Sequence, residues 1–231
     1  MNLTSQRDQD AIALWNHAYV NGADNLWGDP PVPYASKASR LFADSGAFIV
    51  MDMPCGDGRN LPVLAAGAPI IIGADTSENA LSLSQRILER AGLLRAATLL
   101  SMNAYATNIP DAGIDGIFCW DLLGHLVEPE RAMRELCRIL RPGGHIVANM
   151  WTMGDCQVAD PNMREISPKT YLDHFDFYCR FYEREDIDEF LRASGCEALS
   201  VDLARWTEPP HPGYRNYEHD HESWVMTIKK H

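Results

Sequence analysis

Nothing in this 231-residue chain reaches the roughly 18 consecutive apolar residues a membrane-spanning helix needs. The longest apolar runs, such as Ala68–Ala74 and His145–Met150, are strand-sized. The first residues, Met-Asn-Leu-Thr-Ser-Gln-Arg-Asp, carry neither the apolar centre of a secretory signal nor an Arg-rich transit pattern. A cytoplasmic location is therefore the expectation. Cysteines are few and scattered: six, with no Cys-x-x-Cys pair, so reduced thiols rather than a disulfide framework are expected. Basic residues are also short, 20 Lys and Arg against 32 Asp and Glu, for a formal net charge of -12. No cluster of them could track a phosphate backbone, which excludes nucleic acid as the natural partner. A neutral, cationic or small amino-acid-like substrate suits this balance better. No internal repeat, low-complexity tract or long linker divides the chain, which reads as one domain over residues 1–231. No residue pattern fixes an oligomeric state.

What is present is alternation. Thr4–Val20 has helical spacing with Ile12, Trp15 and Tyr19 on one face; 21–33 reads as a loop and Tyr34–Ala43 as a second helix. Strand and helix patterns then take turns. Ala47–Asp52, Pro69–Asp75, Thr98–Met102, Ile114–Trp120 and His145–Met150 read as strands. Helices are expected near Asn60–Ala66, over Ser77–Ala91 with a Ser cap and Gly92 at its end, and over Pro129–Leu140 before the Pro142-Gly143-Gly144 turn. Such alternation indicates a mostly parallel sheet covered on both faces. The end differs: a helix over Arg184–Ala193 closed by Gly195, then strands Glu197–Trp206 and Ser223–Lys229 joined by a long loop, Thr207–Glu222.

The first strand meets its helix at Val50-Met51-Asp52-Met53-Pro54-Cys55-Gly56-Asp57-Gly58-Arg59-Asn60. Glycine at such a turn lets the backbone approach a ligand closely. The third glycine of a dinucleotide fingerprint is missing, because Leu61 holds its place, and no Gly-Lys-Ser/Thr of a phosphate loop follows. With its context this segment resembles the first motif of class I S-adenosylmethionine-dependent methyltransferases. Three further features stand in the family's order: Asp75 ending the second strand, Asn103-Ala104 ending the third, and Ile109-Pro110-Asp111 leading into Ile114–Asp121. The turn Ile139–Gly144 then follows. The resemblance covers residues 47 to 150 and departs at Pro54, where the family usually has its first glycine, and at Asn103, where it usually has Asp.

The resemblance implies a Rossmann-like fold with a seven-stranded sheet, mostly parallel, with an antiparallel last strand and helices on both faces. It divides the chain into N-terminal lid helices (1–46), a cofactor-binding core (47–151) and a substrate-facing insert with the final strand pair (152–231). S-adenosylmethionine would be held by Asp52, Pro54, Cys55, Gly56, Gly58, Asn60, Asp75, Thr76, Asn103, Ala104 and Trp120, with Asp75 on the ribose hydroxyls and Asn103 near the adenine.

The ends would shape the acceptor pocket. Trp15, Tyr19, Trp27 and Tyr34 either roof the sulfonium or pack the first helix on the core. Six aromatics crowd Tyr171–Tyr182, and aromatic faces favour a cation by roughly 0.5–2 kcal/mol each; packing as a helix and strand at the sheet edge is the alternative. Tyr19, Asp121, His125 and Tyr178 are the candidate catalytic residues. Asp121 or His125 could serve as base; Asp121 could instead cap a helix and His125 be a half-buried structural imidazole. In the segment His211–Glu222, His219 and His221 would share one face of a strand, but no third ligand has characteristic spacing, so a metal-free site is expected. Tyr214, Arg215 and Tyr217 read better as substrate or cofactor contacts.

The activity implied is methyl transfer to a small-molecule nucleophile, a reaction that needs alignment and water exclusion more than side-chain chemistry. The alternative is closure of the cofactor's own methionyl chain to azetidine-2-carboxylate with release of methylthioadenosine, as in azetidine-2-carboxylate synthases, which use S-adenosylmethionine alone. A non-catalytic cofactor sensor ranks third.

Overall fold

The computed structural model describes residues 6–21, 26–28, 30–211 and 215–231. The first two helices are α1 (Gln6–Asn21) and α2 (Pro33–Asp44). The alternating core follows: β1 (Ile49–Asp52), α3 (Leu61–Leu64), β2 (Ile70–Asp75), α4 (Glu78–Arg90), β3 (Ala97–Ser101), β4 (Ile114–Cys119), α5 (Pro129–Ile139) and β5 (Leu140–Trp151). Then come β6 (Arg164–Ser167), β7 (Thr170–Leu172), β8 (Tyr178–Arg180), α6 (Arg184–Ser194), β9 (Ala198–Glu208) and β10 (His219–Lys229).

One seven-stranded sheet runs in the order β3-β2-β1-β4-β5-β10-β9. The pairings of β1 with β2 and β4, β2 with β3, and β4 with β5 are parallel; β10 enters antiparallel to both β5 and β9. This is the Rossmann-like sheet that the resemblance implies. Neighbouring residues on each central strand serve opposite faces. Met51, Ile117 and Ile146 pack with Met133, Leu136 and Phe190 on one side. Val50, Phe118 and Val147 pack with Phe42, Leu61 and Leu64 on the other. That period of two explains why these strands read as unbroken apolar runs.

Helix α4 begins where its cap demands. Ser77 is extended, and its hydroxyl accepts from the Ala80 N–H at 3.1 Å. Asn16 on α1 reaches the same corner: the Ser77 hydroxyl donates to Asn16 Oδ1 at 3.0 Å, and Asn79 donates to the Asn16 carbonyl at 2.9 Å. At its other end α1 is tied to β3's exit, because Tyr105 donates to the Asp8 carboxylate. Trp15 stacks on Phe177 with ring centroids 3.8 Å apart. The first helix thus bridges the carboxyl ends of the parallel strands and the aromatic segment.

Two expectations change here. Tyr171–Tyr182 forms no helix; it supplies β7 and β8 of a separate three-stranded antiparallel sheet, β6-β7-β8. In β8, Cys179 is buried between the half-buried Tyr178 and Arg180, the in-and-out burial of a strand with one covered face. The long loop expected over 207–222 shrinks to 209–218, because the two last strands continue in register through Glu208↔His219. No helix among the described residues is long and apolar enough to cross a membrane.

Candidate active site

The carboxyl ends of β1, β2, β3 and β4 open into one cavity, roofed by α1 and extended sideways by β5, β9 and β10. Its first half is lined by Met53, Pro54, Cys55, Gly56, Asn60, Asp75, Thr76, Asn103, Ala104 and Trp120. Of the residues expected to hold the cofactor, only Asp52 and Gly58 do not line the cavity. Asp52 is fully buried behind the wall, and both its oxygens lack partners among the described residues. Burial, and then the charge of Asp75, pushes its carboxyl well up. Gly58 faces α4 instead: a Cβ there would lie 2.7 Å from Ser84 Cα, so helix packing rather than ligand approach requires this glycine. Gly56 is the residue of close approach, with φ +54° and the Tyr19 hydroxyl 2.8 Å from where its Cβ would stand.

Asp75 lines the cavity at the end of β2. Its Oδ2 accepts from the Gly56 N–H at 3.0 Å and its Oδ1 from the Ser77 N–H at 2.9 Å. Each oxygen keeps a second acceptor position. Burial raises its pKa to about 6, partly opposed by those backbone bonds. Asn103 has a similar spare capacity: its Oδ1 accepts from the Tyr105 N–H at 2.8 Å. The indole Nε1 of Trp120 is buried with no partner among the described residues. Anionic oxygens at β2, an amide at β3 and an orphaned donor at β4 fit a polar nucleoside with two vicinal hydroxyls.

Because that fit uses the ionised form of Asp75, affinity for S-adenosylmethionine is expected to fall as pH drops through about 6 and to be flat above pH 7. Titration calorimetry between pH 5 and 8 checks this; a flat wild-type profile, or a fall near pH 6 that persists in D75N, would remove Asp75 from the site.

The lid is aromatic. Trp15, Tyr19 and Trp27 line the cavity, and Trp27 Nε1 donates to the Tyr19 hydroxyl at 3.0 Å. Burial and the charge of Asp75 push the Tyr19 phenol well up, so it stays protonated. Tyr34 is not on the wall; it stacks on Trp120 from outside, centroids 5.2 Å apart. The Tyr178 ring does not line the cavity either. It lies beneath the Arg7 guanidinium, while its carbonyl accepts from His125 Nδ1 at 2.7 Å. The cavity wall has His125 in its place, wedged edge-on between Trp15 and Trp151. Burial lowers the pKa of that imidazole, and the Tyr178 carbonyl fixes the proton on Nδ1.

Asp121 caps no helix: the short 3₁₀ turn Leu123–His125 starts after Leu122 without a side-chain cap. It sits at φ +54°, held by a reciprocal pair. Its N–H donates to Asn149 Oδ1 and its Oδ1 accepts from Asn149 Nδ2, both at 2.7 Å. Trp151 Nε1 donates a second bond to Oδ1 at 3.0 Å. Burial raises this carboxyl, against the pull of Asn149. Oδ1 is thus committed to the scaffold.

Beyond Asp121 the cavity is ionic. Glu208 Oε2 accepts from Arg59 at 3.0 Å and from His211 Nε2 at 2.7 Å, and its Oε1 accepts from Trp206 at 2.9 Å. Burial alone would raise Glu208; the His211 bond and the Arg59 charge outweigh it and hold the carboxyl below the usual range. His221 Nδ1 donates to Asp155 at 2.9 Å, which raises its pKa despite burial. Burial takes His219 the other way, to about 4. Arg215 lines this wall with Asp160 as partner, whereas Tyr217 is more than half exposed and off the wall. Tyr214 lies outside the described residues. Asp57, Arg59, Trp151, Gln157 and Glu208 line the cavity without having been singled out as site residues. The signal for Asp57 and Arg59 was their place in the glycine turn; for Glu208 it was the alternation Ala204, Trp206, Glu208 along β9.

Residues 51–148 match the family described as a methyltransferase domain. Over that stretch, less than half of its length, the chain is similar to a methyltransferase domain. It is 26% identical over 157 residues to a ubiquinone biosynthesis O-methyltransferase of Azoarcus sp., a match covering 66% of this chain and 65% of that protein. The corresponding shares of two other curated methyltransferases are 47% and 64%, so the chain spans about two thirds or less of the length of these relatives. Among solved structures, the Burkholderia thailandensis 1,6-didemethyltoxoflavin-N1-methyltransferase, with its acceptor and S-adenosylhomocysteine bound, shares the fold at TM-score 0.67 and 20% identity. That similarity covers 100% of this chain and 92% of the other. The [4+2]-cyclase SpnF also shares the fold, at TM-score 0.63 and 17% identity over 98% of this chain and 97% of the other.

Proposed function

We propose that this chain transfers the methyl group of S-adenosylmethionine to an oxygen or nitrogen of a small polar molecule. The carrying observation is the contrast between the two halves of the cavity. One half offers the nucleoside acceptors Asp75 and Asn103 beside the glycine turn. The other offers Asp57, Arg59, Asp121, Glu208, His211, Arg215, His219 and His221 within one enclosed wall. Buried charges of both signs reject a purely apolar acceptor, since its binding would strip their water without replacement bonds.

S-adenosylmethionine supplies a methyl carbon bearing a sulfonium leaving group. The chain's own residues then have three tasks. Trp15, Tyr19 and Trp27 close the site and present aromatic faces to a cation. Asp75 and Asn103 fix the nucleoside. Asp121, with one oxygen pinned by Asn149 and Trp151, directs Oδ2 as an acceptor for the proton of the incoming nucleophile.

On this reading Asp121→Asn lowers kcat about 10²-fold or more while the dissociation constant of S-adenosylmethionine stays within about twofold. Steady-state kinetics with the identified acceptor and calorimetry on the same preparation check the two halves of that statement. Equal loss of both would make Asp121 a structural residue.

The defining experiment is mass spectrometry of the nucleoside product. S-adenosylhomocysteine formed only when a cell extract or polar acceptor is present supports the proposal. Methylthioadenosine formed from S-adenosylmethionine alone, with a four-membered-ring amino acid, would replace it with cofactor cyclisation.

A further inference from the structure

Three side chains at the far end of the cavity match the requirements of a divalent metal centre. Glu208 ends β9 and stands directly opposite His219, the first residue of β10, in the antiparallel register; His221 is two residues along on the same face. One ligand atom from each of Glu208, His219 and His221 lies within 4.8 Å of the others. The edge of a tetrahedron around zinc, with bonds of about 2.1 Å, is roughly 3.4 Å, so side-chain rotations of about an ångström close the set.

Their orientation is set from outside. His219 Nδ1 donates to the Tyr217 carbonyl at 2.9 Å and His221 Nδ1 to the Asp155 carboxylate at 2.9 Å. Both contacts leave Nε2 as the nitrogen available inward, and a carbonyl or carboxylate behind each imidazole is the arrangement that orients metal-bound histidine. His219 is 5% exposed, lines the cavity, and its Nε2 has no partner among the described residues. A buried lone pair left unmet is costly, and no neighbouring donor answers it. Glu208 already accepts from Arg59 and His211 at Oε2 and from Trp206 at Oε1, which hold its carboxylate in place and leave Oε1 with a second lone pair.

We propose that Glu208, His219 and His221 bind a divalent transition-metal ion of the zinc class. Two imidazoles and one carboxylate leave at least one coordination position, and it faces the acceptor half of the cavity. A hydroxyl or amine of the acceptor would take that position, which names the acceptor as a metal-chelating or metal-polarised polar group. This last step rests on the methyl-transfer reading; binding of the ion does not. The proposal runs against the metal-free expectation drawn from sequence spacing, which saw the two histidines but not the carboxylate brought across from β9. The other group of potential ligands, Asp155, Cys156 and His221, shares His221, but there Asp155 serves as its outer partner and the Cys156 sulfur accepts from Arg215.

The test uses the full chain, stripped with chelator, desalted and titrated with zinc chloride by calorimetry. One equivalent is expected at micromolar affinity or tighter, weakened at least 100-fold in both H219A and H221A. Calorimetry with S-adenosylmethionine on the same variants should give the wild-type affinity, which verifies their folding and the cofactor half independently. Cobalt(II) in place of zinc should show visible d–d absorption without a thiolate charge-transfer band. No zinc binding by the wild type, a thiolate band, or unchanged zinc affinity in H219A overturns the proposal. Zinc binding with no effect on methyl transfer would remove only the acceptor role.

Discussion

Asp75→Ala raises the dissociation constant of S-adenosylmethionine by about 10²–10³-fold. Asp75 ends β2 on the cavity wall with one acceptor position on each oxygen spent on backbone N–H groups and one left over. Two vicinal hydroxyls fill two such positions at once. A hydrogen bond to a charged partner contributes roughly 1.5–3 kcal/mol, and tenfold in affinity is about 1.4 kcal/mol, so losing a pair of them reaches the stated range. Burial holds the carboxyl's pKa at about 6, so it is an anion at pH 7.5 but one at the edge of protonation. Asp75→Asn keeps the shape and one acceptor oxygen, and should fall between wild type and alanine while losing the pH dependence near 6. Calorimetry with S-adenosylmethionine at pH 7.5 decides the matter. Affinity unchanged in Asp75→Ala would move the ribose elsewhere and take the cofactor reading with it.

The legible part of this molecule was the part built from periodic repetition. Strands β1 to β5 carry apolar residues on both faces, so their runs stand out, and the turn residues between them fall where a strand must hand over to a helix. Ser77 announced α4 because its hydroxyl replaces a backbone acceptor that the first turn lacks. Asp75, Asn103 and Trp120 could be placed on one wall for the same reason: each ends a parallel strand, and parallel strands end together. The acceptor half was illegible because its elements are polar and pair over distance. Glu208 and His219 lie in segments whose charged residues read as loop, and only pairing β9 with β10 brings them face to face. Tyr178 misled because aromatic density does not reveal direction; its strand turns the ring toward Arg7 and gives the site only a carbonyl. Asp57 and Arg59 were visible in the glycine turn, but their partners, Trp27 and Glu208, come from distant parts of the chain.

The glycine turn also separates two duties that one motif had joined, and substitution should pull them apart. Gly58→Ala is expected to destabilise the fold by about 2–5 kcal/mol, adding a left-handed backbone penalty of roughly 1–2 kcal/mol to an overpacking cost of roughly 1–3 kcal/mol. Both contributions are visible at this residue. Its φ is +92°, and an added Cβ would meet Ser84 Cα and Oγ at 2.7 Å, with Ser84 Cβ at 3.0 Å. The obstacle includes backbone of α4, which cannot swing away as a flexible side chain would. Gly92→Ala is the matched control: φ is +70°, yet nothing lies within 4 Å of its Cβ position. That variant should lose only the backbone penalty. For a chain of this size each kcal/mol moves the melting temperature by roughly 2–4 °C, so Gly58→Ala should melt about 10 °C below wild type and Gly92→Ala only a few degrees below. Equal shifts would mean that α4 yields to the new methyl group and that Gly58 answers only to backbone conformation. A small shift for Gly58→Ala joined to a large loss of S-adenosylmethionine affinity would return Gly58 to the ligand, as the sequence motif alone had it.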